Sequence, residues 1–410
     1  MVAHENFPPQ YGRALDALLR GSHLVNPDEL PELAARCVRD LGVTELVMYL
    51  VDYDQKTLVP MRTAGTAPRE TLSIDGTVAG RAFRTVTPQV VEAGASRRLW
   101  TPLLDGTERL GVIESVLPTE GADLEPVVVQ MLSEYGHLVA ELLVSKSAST
   151  DRYEWVRRER PMSLAAEMQY GLLPPLTFGT PRLVISGLLA PAYEVGGDAF
   201  DYAVNGEVAH VAVFDAMGHG LLAAQLSALA IGAYRNARRA GLPLQETALE
   251  VDRVLSEQHG GERFVTAILG QLLVDSGRLS WLSAGHPAPF LLRERKIVGM
   301  QVPEPSQPLG MLDLGGGAAP PVQETQLQPG DRVLLFTDGV DEARGRDGSF
   351  FGVQRLAEFV ARQSASGEPT PEVMRRLQHA ILEHQEGRLQ DDATTLFVEW
   401  LTGKEQTLLP

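Results

Sequence analysis

The feature that most limits how this chain can fold is a repeated junction between Glu194 and Thr394, where an apolar, β-branched run meets aspartate, four times over. Val208-Ala209-His210-Val211-Ala212-Val213-Phe214 runs into Asp215-Ala216-Met217-Gly218-His219-Gly220, and Val333-Leu334-Leu335-Phe336-Thr337 runs into Asp338-Gly339. Glu194-Val195-Gly196-Gly197-Asp198-Ala199-Phe200-Asp201 sets its acids where an apolar run breaks, and Gln390-Asp391-Asp392-Ala393-Thr394 opens the run Thr394–Val398. Such runs read as buried strands. One Asp-Gly pair is most often only a turn. Four acidic turns at strand ends instead read as a polynuclear metal site, because hard divalent cations such as Mg²⁺ take oxygen ligands, usually one or two carboxylates plus water.

Composition narrows the partners. The chain has 410 residues, 44% of them hydrophobic and 22% charged, which is enough for a large core and two or three domains. A net charge of −17 and the lack of any Lys/Arg block argue against nucleic acid, whose phosphates need a basic surface. The acidic balance would also repel a phosphoprotein, unless bound metal reverses the local sign. The single Cys37 excludes an intramolecular disulfide and a cysteine zinc cluster, and it reads as a buried thiol on a helix face. No apolar stretch is read as a membrane span and no signal-peptide pattern opens the chain, so a cytoplasmic location is expected.

In order, residues 1–10 read as unstructured and 11–19 and 28–41 as helices, the second stopped by Gly42. A hairpin over 46–51 and 57–61, strands at 71–74, 89–91, 99–102 and 110–116, a helix at 78–84 and a long helix at 124–144 follow. After the polar break 145–150, Pro161 is placed to begin a helix over 162–173, with Leu164, Met168 and Leu172 as an apolar stripe. Strands are then expected at 183–189, 200–204, 207–214, 264–274, 279–283, 289–293, 296–301 and 331–336, and a last one to Trp400. Helices are expected at 221–240, 244–257, 353–363 and 371–384, with a flexible loop at 313–321. Helices inserted between runs of antiparallel strands indicate an α+β sandwich.

Residues from about 180 to 400 resemble the PPM (type 2C) metal-dependent serine/threonine phosphatases, in their bacterial SpoIIE/RsbU branch. The matching segments are 194–201, 215–220 with Ala223-Ala224, Ser283-Ala284-Gly285-His286-Pro287, Pro308-Leu309-Gly310, 337–342 and 391–394, in the family's order. The resemblance implies an α/β/β/α sandwich with metals at one end of the packed sheets. By its pattern Asp215 bridges two ions, the Asp198 carboxylate and the Ala216 backbone carbonyl serve the second, and Asp338 and Asp391 complete the first, with Asp392 as the alternative to Asp391. The ions would be Mn²⁺ or Mg²⁺, two or three in number. His219 and His286 read as turn and loop residues, and Asp201, Asp341 and Glu342 as partners of the ligands or solvated caps. No counterpart of the phosphate-binding arginine of eukaryotic members is identifiable.

The order helix pair, antiparallel sheet and closing helix, with Gly76–Ala82 and Leu110–Ile113, resembles a GAF sensor domain. The phrase 166–174 resembles the regulatory linker ahead of RsbU-type domains. The expected division is a GAF-like domain at 1–148, a helical linker at 149–178, the phosphatase domain at 179–402 and a tail at 403–410. The implied substrate is a phosphorylated STAS-domain anti-anti-sigma protein. The implied organisation is a homodimer controlled by an unidentified GAF ligand or activating protein, without nucleic acid or membrane. Two other readings are a pseudophosphatase scaffold, which would lack metal carboxylates, and a metallohydrolase acting on nucleotides, which the absence of a P-loop weakens.

Overall fold

The computed structural model describes residues 7–401 apart from 63–67, 95, 120–123, 195, 295, 299, 301–303, 366–367 and 387–390. The expectations for residues 1–6, Val195, Gln301, Gln390 and the tail at 403–410 lie outside the described residues. The chain forms two compact units, 1–160 and 161–409.

The first unit runs α1 (Pro9–Ser22), α2 (Leu30–Cys37), β1 (Glu45–Val51), β2 (Thr57–Pro60), β3 (Leu72–Ser73), α3 (Val78–Thr85), β4 (Gln89–Ala93), β5 (Ser96–Asp105), β6 (Glu108–Pro118), α4 (Pro126–Ser147) and α5 (Arg152–Arg157). Its strands form one antiparallel sheet in the order β3-β2-β1-β6-β5-β4. Alternation along β1 sends Leu46, Met48 and Leu50 to the face covered by α1, α2 and α4, and Val47, Tyr49 and Val51 to the face under α3. The Tyr135 hydroxyl donates to the Ala34 carbonyl at 2.7 Å and ties α4 to α2. α4 is long and apolar enough to cross a membrane by length and composition, which the sequence reading overlooked; here Met131, Leu132, Tyr135 and Val139 are core residues of the unit. Cys37 is half-buried against the same core. α5 was not expected; its six residues are too few for a periodic signal, and it is anchored by buried Tyr153.

The second unit begins with α6 (Leu164–Leu172), β7 (Thr177–Thr180), β8 (Leu183–Ala190), β9 (Asp198–Asn205), β10 (Val208–Ala216), α7 (Leu221–Arg239) and α8 (Leu244–His259). It continues with β11 (Val265–Leu273), β12 (Arg278–Ala284), β13 (Phe290–Arg293), β14 (Lys296–Val298), β15 (Gln323–Gln326), β16 (Arg332–Phe336), α9 (Asp338–Asp341), α10 (Val353–Ala365), α11 (Thr370–His384) and β17 (Ala393–Trp400). Two antiparallel sheets result, β15-β12-β11-β10-β9 and β14-β13-β16-β17-β8-β7. Phe200, Val211, Val213, Ile268 and Trp281 of the first meet Ile185, Leu189, Val333, Leu335, Leu396 and Val398 of the second. α7 and α8 cover the outer face of one sheet and α10 and α11 that of the other, which gives the expected α/β/β/α layering.

Three local expectations are corrected. Pro161 does not begin the linker helix. Ser163 caps it instead, accepting from the Ala166 N–H at 3.1 Å, and a side-chain acceptor outweighs proline's preset φ. The buried face of α6 is Ala165, Ala166 and Gln169, whereas Leu164 of the expected stripe is exposed; small side chains let the helix lie close to the domain. The loop expected at 313–321 opens with a 3-10 turn at Leu312–Gly315. β7 and β15, two short edge strands, carry too few apolar residues to signal themselves.

The two sheets meet closely where the Phe200 ring lies on Gly187, at which a Cβ would stand 2.2 Å from the ring. Phe200→Ala removes a fully buried ring from this contact and is expected to destabilise the second unit by about 3–5 kcal/mol, read from the denaturant midpoint. A loss below about 1 kcal/mol would mean that the sheets close over the gap.

Candidate metal centre

Strand alternation places the acids. In β10 the side chains of Val211 and Val213 enter the space between the sheets, so Asp215, two residues on, points into the same space at its open end. In β9, Asp198 shares that face with Phe200 and Tyr202, and the register sets Asp198 directly opposite Asp215. From the other sheet, β16 delivers Thr337 and Asp338 just past Phe336, while Asp391 and Asp392 precede β17. Asp201 falls on the opposite face of β9, buried against α7, with its carboxylate held by Arg235 and Arg238 at 2.7 Å each. It is therefore a strut for α7. His219 lies exposed in the turn before α7. Glu342 is also exposed, and Asp341 is half-buried with Oδ1 lacking a hydrogen-bond partner.

The two C-terminal acids differ in environment. Asp392 is 9% exposed, and its Oδ2 accepts from the N–H groups of Gly196 at 2.7 Å and Gly197 at 2.6 Å, with Asp198 N–H at 3.4 Å. Asp391 is exposed, and its Oδ1 accepts from the Asp392 N–H at 2.9 Å. Main-chain amides occupy Asp392, whereas Asp391 keeps oxygen lone pairs open to the cleft. Glycine is required here by close approach: a Cβ at Gly339 would stand 1.8 Å from the Asp392 carbonyl oxygen.

Three threonines and a histidine support these acids. The Thr337 hydroxyl donates to Asp198 Oδ2 at 2.5 Å and accepts from the Thr394 N–H at 3.0 Å. Thr266, opposite Asp215 in β11, has its hydroxyl 3.4 Å from Asp215 Oδ2 and 2.7 Å from His286 Nδ1. Sequence reading singled out neither Thr266 nor Thr394 as a supporting residue. The flanking acids marked Thr337 and Thr394, but nothing near Thr266 in the chain signals its place opposite Asp215.

Electrostatics explains what the arrangement lacks. Burial, followed by repulsion from Asp338 and Asp391, pushes the Asp215 carboxyl up to about 7. Asp198 is raised by burial and then by Asp215 and Asp392, and Asp338 by burial and then by Asp391 and Glu342. Burial also raises Asp392, against the lowering effect of its amide hydrogen bonds. Among the described residues, no three acids, imidazoles or thiols are close enough together to enclose an ion. The donor chemistry nevertheless fits a hard divalent cation: buried Asp198, half-buried Asp215 and exposed Asp338 and Asp391 lie at the ends of facing strands, and oxygen is their only donor. The Ala216 carbonyl stands beside them, 2.7 Å from where a Gly197 Cβ would be, so a larger residue at 197 would crowd it.

Comparison with known proteins agrees with this geometry. The SpoIIE family, described as stage II sporulation protein E, matches residues 205–401. The C-terminal half of the chain is thus a SpoIIE-family phosphatase domain of the PPM class, a metal-dependent protein serine/threonine phosphatase related to RsbU. The phosphoserine phosphatase RsbU of Bacillus subtilis (strain 168) is 23% identical over 235 residues, 57% of this chain and 68% of that protein. Protein IcfG of Synechocystis sp. is 26% identical over 153 residues, 37% of this chain and 23% of that protein. The crystal structure of the RsbU and RsbW domains of Rv1364c from Mycobacterium tuberculosis aligns at 27% identity and a TM-score of 0.47, over 56% of this chain and 63% of that one. The family match begins at residue 205, so the first unit stands as an α/β domain of unassigned type.

Two predictions follow from the carboxylates. Folding raises their affinity for protons, so the metal-free domain has its full stability below the ordinary aspartate value of 3.8 and loses part of it as pH rises through about 7. Mg²⁺ is therefore expected to raise the melting temperature more at about pH 8 than at about pH 5; an equal or larger rise at the lower pH would contradict the site. Asp391→Asn is expected to weaken cation binding with little change in melting temperature. Asp392→Ala, which strips the acceptor from two buried amides, is expected to destabilise the domain by about 1–3 kcal/mol. Calorimetric cation titration and thermal melts of both variants separate the two roles.

Proposed function

We propose that this protein removes phosphate from phosphoserine or phosphothreonine of a protein substrate, with Asp198, Asp215, Asp338 and Asp391 and the Ala216 carbonyl holding two divalent ions, Mn²⁺ or Mg²⁺, and Asp392 bracing the site from behind. The observation that carries this is the convergence of those acids from both sheets, at the positions of the SpoIIE-family match for all but Asp198, which lies just ahead of it. Such ions, when bound, activate water and neutralise phosphoryl oxygens. The chain's own residues aim the acids. Thr337 donates to Asp198, the amides of Gly196 and Gly197 fix Asp392, and the packed sheets keep bulk water from the inner side of Asp215.

The substrate we favour is the phosphorylated STAS-domain anti-anti-sigma protein that the family resemblance implies; the related RsbU, named a phosphoserine phosphatase, supports the phosphoserine part of this reading. Regulation through α6 is supported by two contacts. Gln169 Nε2 donates to the Gly196 carbonyl at 3.4 Å, and Arg235 Nη2 donates to the Leu172 carbonyl at 2.6 Å. Movement of this helix would be felt at the turn that holds Asp392. We further propose that the first unit is a GAF-like sensor, binding a ligand or an activating protein, and that the chain works as a cytoplasmic homodimer. Helices on both faces of its antiparallel sheet support the sensor reading.

Phosphate release from a phosphorylated STAS protein tests the reaction. Release is expected with Mn²⁺ or Mg²⁺ and not with EDTA. Asp215→Asn is expected to lower the rate at least about a hundredfold, equivalent to about 2.7 kcal/mol. Metal-dependent release that survives this substitution would refute the assignment.

A further inference from the structure

The turn that follows β12, at 285–287, holds a histidine that the proposed chemistry does not use. His286 is 7% exposed, and both ring nitrogens are engaged, each by a different sheet. Nε2 lies 2.9 Å from the carbonyl oxygen of Phe336, the last residue of β16 and two positions before Asp338. Nδ1 lies 2.7 Å from the hydroxyl of Thr266, which pairs with Asp215 in the other sheet. The ring therefore links β11, the hydrogen-bonded neighbour of the strand that carries Asp215, to the end of β16, from which the chain runs on to Asp338. Its own backbone is fixed: the Ser283 hydroxyl donates to the His286 carbonyl at 2.6 Å and accepts from the His286 N–H at 3.2 Å.

The partners of the ring place its proton. A carbonyl oxygen only accepts, so Nε2 carries a proton. Burial holds the ring neutral, with its pKa pushed down to about 4, so Nδ1 is an acceptor. The Thr266 hydroxyl is then shared: it lies 2.7 Å from Nδ1 and donates to Asp215 Oδ2 at the longer distance of 3.4 Å.

We propose that His286 is a positioning residue: it braces β11, and through Thr266 the neighbouring Asp215, against the end of β16 that leads into Asp338, and so fixes the spacing of these two acids. This rests on the reading of Asp215 and Asp338 as metal ligands. Partners hydrogen-bonded to a ligand, as Thr266 is to Asp215, are worth about 10- to 100-fold in metal affinity, and His286 holds Thr266 in place.

The test uses the full chain and Mn²⁺ as the probe. His286→Ala and Thr266→Val are each expected to weaken Mn²⁺ binding by at least about tenfold by calorimetry, and to raise by a similar factor the Mn²⁺ concentration for half-maximal phosphatase activity. KM for the phosphoprotein at saturating Mn²⁺ is expected to stay within about twofold, because the brace acts on the metal ligands rather than on the substrate. Thr266→Ser, which keeps the hydroxyl, is expected to restore most of the affinity that Thr266→Val loses. Nitrogen-15 NMR of the metal-free protein is expected to show His286 protonated at Nε2 alone.

Unchanged Mn²⁺ affinity in a folded His286→Ala protein would overturn the proposal. So would a Thr266→Ser protein that binds Mn²⁺ as weakly as Thr266→Val, or a ring protonated at Nδ1. If His286→Ala does not fold, the two threonine variants and the NMR reading still decide. A wild-type chain that binds no Mn²⁺ would overturn the metal reading itself, and this proposal with it. Normal wild-type binding with unaltered variants would overturn only the brace.

Discussion

At the open end of the second unit, one carboxylate oxygen of Asp392 gathers the amides of Gly196 and Gly197, and the rest of the site hangs from that junction. Hydrogen bonds to an ionised acceptor are roughly twice as strong as neutral ones. Here they join the start of β17 in one sheet to the approach to β9 in the other. Main chain also packs on main chain nearby. A Cβ at Gly196 would stand 2.4 Å from the Gly220 nitrogen, and one at Gly339 would meet the Asp392 carbonyl. The frame is thus closed by backbone, and the charged side chains project from it with their geometry already set.

That frame carries an electrostatic load. Asp198, Asp215 and Asp338 are raised by burial and by their acidic neighbours, and the groups acting on Asp215 are three other aspartates and the Thr266 hydroxyl. Three arginines of the unit are committed to other acids, Arg235 and Arg238 to Asp201 and Arg293 to Asp331. The apolar layers between the sheets and under the two helix pairs must hold the repelling groups together until a cation arrives. The formal charge of −17 is therefore a property of the chain as a whole, and the bound ions decide the sign met by a phosphate.

Much of this was legible because strand alternation leaves a trace in the sequence. Val211, Val213 and Asp215 lie on one face of β10, as do Asp198, Phe200 and Tyr202 on one face of β9, so an acid in phase with inward apolar residues marks a strand end facing the interior. The same parity excludes Asp201, but only once the strand is seen to begin at Asp198 rather than at Phe200. Pairing between distant strands left no such trace. Thr266 faces Asp215 because β11 returns beside β10 after two helices, and His286 spans the sheets because of how they are stacked. The choice between Asp391 and Asp392 was equally hidden, since it depends on where the Gly196 and Gly197 amides come to rest.

The seating of the Phe200 ring on Gly187 has a further consequence for how related sequences can diverge. The two positions share one volume, so enlarging residue 187 becomes tolerable only if residue 200 shrinks in the same lineage. Across many descendants of this domain the pair should therefore change together, large with small, while either change alone is purged. That coupled drift would be a record of how far apart the two sheets stand, and so of the spacing between the carboxylates they carry.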